Sequence, residues 1–152
     1  MFASATLHAA PPSFDKLVLA GYRQDSSGVW IQSKNKNNVV TTTILSDAWF
    51  DLSERETPKY IQKQVEIRAH INFFAGITEW SVAKQSYKKD GNRVILSLQG
   101  EFKHVGQTHY FQEKHIFIAP NIYQIKISSF NLDEVSDEAT REVFDAAMTV
   151  LK

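Results

Sequence analysis

Seventeen acidic residues balance seventeen basic ones over 152 residues, which removes the long-range electrostatic pull of a nucleic-acid binder or a polybasic membrane protein while leaving room for a local patch. The chain has no cysteine, so disulfides, thiol nucleophiles, thiolate metal sites and cysteine-linked lipid anchors are excluded, and no segment is long and apolar enough to span a bilayer as a helix. The length suits one domain with a core that needs no metal or disulfide staple, and an aromatic content of 12% suits a sheet-rich fold.

Residues 1–13 read as a leader. Met1 to Ala10 is small and apolar, holds the tripeptide Ala3-Ser4-Ala5 and gives way to Pro11-Pro12. This resembles the tail of a secretory signal without its basic start and apolar centre. The expectation is an exported bacterial protein, periplasmic or secreted, whose start was trimmed or misassigned. The alternative is a disordered cytoplasmic leader.

A single domain is expected over residues 14–152. Phe14 to Ala20 is a short apolar piece and Gly21 to Gly28 is polar turn material. Val29–Gln32 and Val39–Leu45 are β-branched and aromatic, and flank the turn-like Ser33–Asn38, which predicts a first hairpin. Ser46 to Glu56 is too polar for a core element apart from Trp49, Phe50 and Leu52, and reads as a loop with an aromatic knot.

Thr57-Pro58 is a helix start, with Thr57 placed to accept an amide hydrogen bond and Pro58 pre-set for the first helical position. Beyond it two periodicities compete. Tyr60, Ile61, Ile67, Ile71 and Phe74 share one side of a helix, whereas Val65, Ile67, Ala69, Ile71 and Phe73 alternate as in a strand. Start signal and length favour a helix over 58–73, with an edge strand after Val65 as the alternative.

Strands follow near Trp80–Lys88, Arg93–Lys103, Thr108–Ile118 and Tyr123–Phe130. Asp90-Gly91, between Lys89 and Asn92, is a type I′ hairpin signal, and further turns fall at Val105–Thr108 and Ala119–Asn121. Val94, Leu96, Leu98 and Phe102 share one face, as do Tyr123, Ile125 and Ile127. Apolar residues at Ile95, Phe111, Ile116, Phe117 and Ile118 fall on both faces, so the sheet should be covered at least partly on both sides. A last helix starts at Ser136 as N-cap, with Asp137 and Glu138 complementing its dipole. Its stripe is Ala139, Val143, Ala147, Val150 and Leu151, beside Phe144 and Met148. The fold expected is α+β, an antiparallel sheet of about six strands in the order ββαββββα with helices packed on it.

That order, with the closing segment Tyr123–Ser129 followed by the helix through Phe144 and Leu151, resembles a PsbP-like domain over roughly Phe14 to the end. The family takes its name from an extrinsic photosystem subunit and includes small bacterial envelope proteins and a eukaryotic nuclear-import factor. The resemblance implies a binding or accessory role, because such domains mostly bind or stabilise other proteins and share no catalytic set. It carries over no functional residue.

Candidate site residues are few. His104 and His109 face each other across the Val105–Thr108 turn, with His115 six residues beyond His109 and Glu101 or Glu113 as a third ligand if a metal were held. Ordinary cross-strand packing explains the same spacing, so no metal is expected. Glu54 with Glu56, and Asp133-Glu134 with Asp137-Glu138, sit in a loop and at a helix start, where solvation and the dipole account for them. Nucleophile-elbow and phosphate-loop patterns are absent. Lys34, Lys36, Lys88, Lys89 and Arg93 gather at turns, as residues that block sheet-to-sheet association do.

Trp49 and Phe50 are the candidate partner-binding residues, as large aromatics in a polar connection either plug the core or anchor a partner. The expected function is thus a non-enzymatic accessory domain of the bacterial envelope that binds another protein, with no nucleic acid and no cofactor. The alternative is a small-ligand carrier or small enzyme with a pocket between sheet and helices, metal-assisted through His104 and His109.

Overall fold

The computed structural model describes residues 11–46 and 53–152. Trp49 and Phe50, and the leader before Pro11, lie outside the described residues. The elements run β1 (Tyr22–Gln24), β2 (Trp30–Gln32), β3 (Val39–Ser46), α1 (Thr57–Ala75), β4 (Ile77–Asp90), β5 (Arg93–His104), β6 (Gln107–Ile118), β7 (Asn121–Ser129) and α2 (Asp137–Val150). They build one seven-stranded antiparallel sheet, ordered β1-β2-β3-β7-β6-β5-β4. The fold class is the expected α+β one with one more strand. β1 lies in the Gly21–Gly28 stretch expected to be a turn. Its three residues carry no apolar alternation, and backbone pairing of Tyr22 with Gln32 and Gln24 with Trp30 defines it. The Asp25 carboxylate closes the following loop by accepting from the Ser27 and Val29 amides at 2.9 and 3.0 Å.

The sheet divides two cores. On one face Val40, Ile116, Tyr123, Ile125 and Ile127 pack with Leu17 and Leu19 and with α2 through Val143, Phe144, Ala147 and Leu151. On the other, Leu96, Leu98, Phe102, Phe111, Phe117 and Ile122 pack under Tyr60 and Ile61 of α1. Strand alternation produces the division: Tyr123, Ile125 and Ile127 of β7 point one way, and Ile122, Gln124 and Lys126 the other.

Local chemistry departs from expectation in several places. α1 is a helix through the ambiguous stretch, but Thr57 does not cap it. A 3-10 turn over Glu54–Glu56 precedes the helix, so the Thr57 hydroxyl donates back to the Ser53 carbonyl at 3.0 Å. Ile67, common to both competing patterns, is exposed, while Arg68 beside it turns toward the sheet. In α2, Ser136 accepts from the Ala139 amide at 3.1 Å as N-cap. Ala139 itself is exposed, and Thr140 takes its buried place by donating to the Gln112 side chain at 2.9 Å.

The β4–β5 loop is Gly91-Asn92, one residue later than expected, because Asp90 pairs with Arg93 across the strands and through a 2.8 Å ion pair. Of the two loop residues only Gly91 has positive φ, at 63°, the pattern of a type II′ turn rather than a type I′ one. Val105-Gly106 does form a two-residue turn with both φ positive, 51° and 77°. Val105 is β-branched and 85% exposed there, so its left-handed backbone is disfavoured without compensating packing. Val105→Asn should therefore raise stability by about 1 kcal/mol, since Asn-Gly is the preferred pair for this turn. Urea denaturation checks this.

β4 is an edge strand with exposed Lys84, Lys88 and Lys89 and register shifts between Thr78 and Ser81 and between Val82 and Lys84. Glu79, at φ 54°, lies in the first shift and reaches Lys103 at 2.9 Å. The kink drives the Ser81 carbonyl against β5 at Gly100, where a Cβ would lie 1.8 Å from that oxygen. Only glycine fits there.

Candidate functional site

Between α1 and the sheet is a cavity of about 200 Å³, lined by Thr41 and Thr43 of β3, Arg68 of α1, Trp80 of β4, Glu113 of β6, and Gln124 and Lys126 of β7, with Ile77 and Phe102. The register brings these together: Lys126 lies between Thr41 and Glu113 on its two neighbours, and Gln124 between Thr43 and His115. Thr43 is exposed and marks the mouth.

Glu113 and His115 are both buried, at 1% and 0% exposure, so their partners decide whether they can be tolerated. Arg68 Nη1 donates to both carboxylate oxygens of Glu113, at 2.8 and 3.1 Å. Its guanidinium also lies 4.6 Å over the Trp80 ring, which stacks on Phe111. Burial by itself would raise the Glu113 pKa; His115, Arg68 and Lys126 reverse the effect and hold it at about 2. Of these, Arg68 is the partner with hydrogen-bond geometry. His115 Nε2 stops 3.4 Å from Glu113 Oε1 and makes no hydrogen bond.

The other ring nitrogen of His115 is fully engaged. Tyr60 Oη is 2.7 Å from Nδ1, and the Gln124 amide nitrogen 3.3 Å. An amide NH2 can only donate, so Nδ1 is the acceptor and the network assigns the proton to Nε2, facing Glu113. Tyr60 with His115 and Arg68 with Glu113 thus form two buried hydrogen-bonded pairs that meet at the 3.4 Å contact between His115 and Glu113, and the second pair lines the cavity.

Lys126 is treated differently. Its half-buried side chain lines the cavity, with the ammonium 5.4 Å over the Phe102 ring, and no carboxylate among the described residues comes within ion-pair distance. Burial pushes its pKa down, Glu113 pulls it back up and Arg68 depresses it further. Two cations and one carboxylate line the cavity, leaving one positive charge in excess.

The histidine pair weighed as a metal site does not face itself across the turn. His104 opposes Gln107 and His109 opposes Phe102, so the two rings are diagonal neighbours with centroids 6.0 Å apart. His109 stacks on Phe102 at 4.9 Å and meets the edge of Phe130 at 4.7 Å; burial, His104 and Lys126 lower its pKa. Glu101 opposes Tyr110 and points to the other face of the sheet, and Glu113 is committed to Arg68. Among the described residues no group of three or more His, Asp or Glu is placed to hold a metal. Of the acid clusters, Glu56 lies 3.7 Å from Lys59, and Asp137 accepts from Gln112 at 2.9 Å in the first turn of α2. Trp49 and Phe50 belong to the connection from β3 to α1, the two elements that supply Thr41, Thr43 and Arg68.

The sequence pattern did not mark Tyr60, Arg68, Gln124 and Lys126 as a group. A signal was present in β7, where Gln124 and Lys126 occupy the positions facing a core on a sheet expected to be covered on both sides. Polar residues at such positions need partners.

Comparison of the sequence with family models and with curated proteins gives no match. Among solved structures, cyanobacterial PsbP (CyanoP) from Synechocystis sp. PCC 6803 superposes with a TM-score of 0.60 at 8% identity, over 88% of this chain and 82% of that one. The fold is PsbP-like. The Saccharomyces cerevisiae Ran-binding protein Mog1p shares the PsbP-like arrangement at a TM-score of 0.50 and 15% identity, over 88% of this chain and 80% of its own. At these identities the likeness is one of fold. No helix among the described residues is long and apolar enough to cross a membrane.

Proposed function

We propose that this chain is a non-enzymatic accessory domain that binds another protein in the bacterial cell envelope. The observation that carries this reading is the state of Glu113 and His115. A carboxyl held at about 2 by His115, Arg68 and Lys126 stays ionised and is a weak base, and a histidine whose Nδ1 is taken by Tyr60 and Gln124 is fixed in place. Such a carboxylate serves as structure rather than as a general base near neutral pH. The PsbP-like fold adds support, since Mog1p, with the same fold, is described as Ran-binding. The envelope location rests on the export-like composition of the leader.

Trp49 and Phe50 are the contact residues of this reading, large aromatics set among Asp47, Asp51, Glu54 and Glu56. Trp49→Ala should leave the melting midpoint unchanged and weaken partner binding by about 2 kcal/mol, roughly thirtyfold. Tagged wild-type protein mixed with extract of the producing bacterium should retain one protein in stoichiometric amount, and Trp49→Ala should lose it. A strongly lowered midpoint for Trp49→Ala would remove the anchor.

The cavity beneath α1 favours a second reading, a carrier of a small ligand. Native mass spectrometry of untreated protein separates the two: a stoichiometric bound small molecule supports the carrier and a bare mass the accessory domain.

A further inference from the structure

We propose that the cavity beneath α1 is a binding site for one monoanionic carboxylate, with Lys126 as its cation and the hydroxyls of Thr41 and Thr43 as further donors. The inference stands apart from the accessory-domain reading, because the carboxylate can come from a free organic acid or from an Asp or Glu side chain of a partner.

Charge bookkeeping selects the ligand. Arg68 is satisfied by Glu113 through two hydrogen bonds, and those bonds hold both oxygens of Glu113 away from Lys126, although the two residues are direct cross-strand neighbours. The Lys126 ammonium is left over a half-open cavity without an ion pair among the described residues. Charge kept from water without a counter-ion is unfavourable, and a ligand that supplies one is bound. The excess is a single positive charge, which a carboxylate cancels and a dianionic phosphate would overshoot.

The donors are placed for two oxygens. Thr41 lies directly across from Lys126, and Thr43 lies one pleat further toward the mouth on the same face. Neither hydroxyl makes a hydrogen bond to another described residue. A carboxylate can therefore accept from the ammonium and one or both hydroxyls without disturbing the Arg68–Glu113 pair. Charge-assisted bonds of this kind are the strong ones.

The test is a titration of isotope-labelled protein with sodium acetate, followed by amide chemical shifts, against sodium chloride and inorganic phosphate at matched ionic strength. Acetate should shift the amides of Thr41, Thr43, Gln124 and Lys126 saturably, and Lys126→Met, which keeps the apolar stem, should lose at least tenfold in affinity. A blocked peptide with a single Glu distinguishes the sources: tighter binding than acetate assigns a partner's side chain, and weaker binding a free acid. Thr41→Val, which leaves every charge in place, should weaken acetate several-fold and keeps the test decisive if Lys126→Met does not fold. Equal shifts from chloride, tighter binding of phosphate, or an unchanged affinity in either folded variant overturns the proposal. None of these results bears on whether wild type retains a partner protein from extract.

Discussion

Glu113→Ala is expected to lower stability by about 3–5 kcal/mol at neutral pH, the range found when one member of a buried ion pair is removed. Arg68 would keep its charge with a largely buried side chain and no carboxylate to accept its hydrogen bonds. Lys126 would lose the one negative charge near it. The double replacement Arg68→Met with Glu113→Leu should recover most of that loss, because it removes both charges rather than stranding one. Urea denaturation at pH 7 measures the two variants, and a loss under about 1 kcal/mol for Glu113→Ala would contradict the assignment of this pair as structural.

The same carboxyl gives the wild type a pH signature. Its folded pKa of about 2 lies below the ordinary 4.5, so the unfolded chain takes up the proton first as pH falls. The associated stability is fully present above about pH 4.5 and is lost as pH falls toward about 2; the difference corresponds to about 3 kcal/mol. Glu113→Gln should lack this component between pH 4.5 and 2, in a pH series of the denaturation midpoint.

Gly100→Ala is expected to cost about 3 kcal/mol although it adds one methyl group. The new Cβ would lie 1.8 Å from the Ser81 carbonyl oxygen, 2.9 Å from its carbon and 3.0 Å from the Phe111 ring. Two of these atoms are backbone, so relief requires β4 to move off β5 at its kink. For a domain of this size the midpoint should fall by roughly 10 °C. Gly91→Ala provides the comparison: nothing lies within 4 Å of its Cβ, and its cost comes from positive φ alone.

The meander was legible because its turns and alternation agree. Leu96, Leu98 and Phe102 on β5 and Tyr123, Ile125 and Ile127 on β7 each face one core as the period of two requires. The helix expected over 58–73 was legible from its length, although Thr57 begins it at 57 rather than capping it. Its inward face was legible at Tyr60 and Ile61 but not beyond, since Ile67 fits a buried stripe by hydropathy yet is exposed, while among the described residues Val65 and Arg68 also turn to the sheet. β1 escaped because pairing through backbone alone leaves no trace in side-chain pattern. Gly100 escaped because its need arises from a kink in another strand. The cavity was the least legible part, for Arg68, Glu113, Gln124 and Lys126 come from three elements and meet only through register, which sequence spacing does not encode.

β7 gives Tyr123, Ile125 and Ile127 to one core and Gln124 and Lys126 to the cavity, so the two sides of the sheet are nearly independent hereditary compartments. Exchanges at 124 or 126 can retune what the cavity accepts without touching the packing beneath α2, and exchanges at 123, 125 or 127 can be absorbed by α2 without altering the cavity. A scaffold partitioned in this way can change its ligand while its architecture stays constant, which would let the fold persist across proteins whose sequences have drifted almost entirely apart.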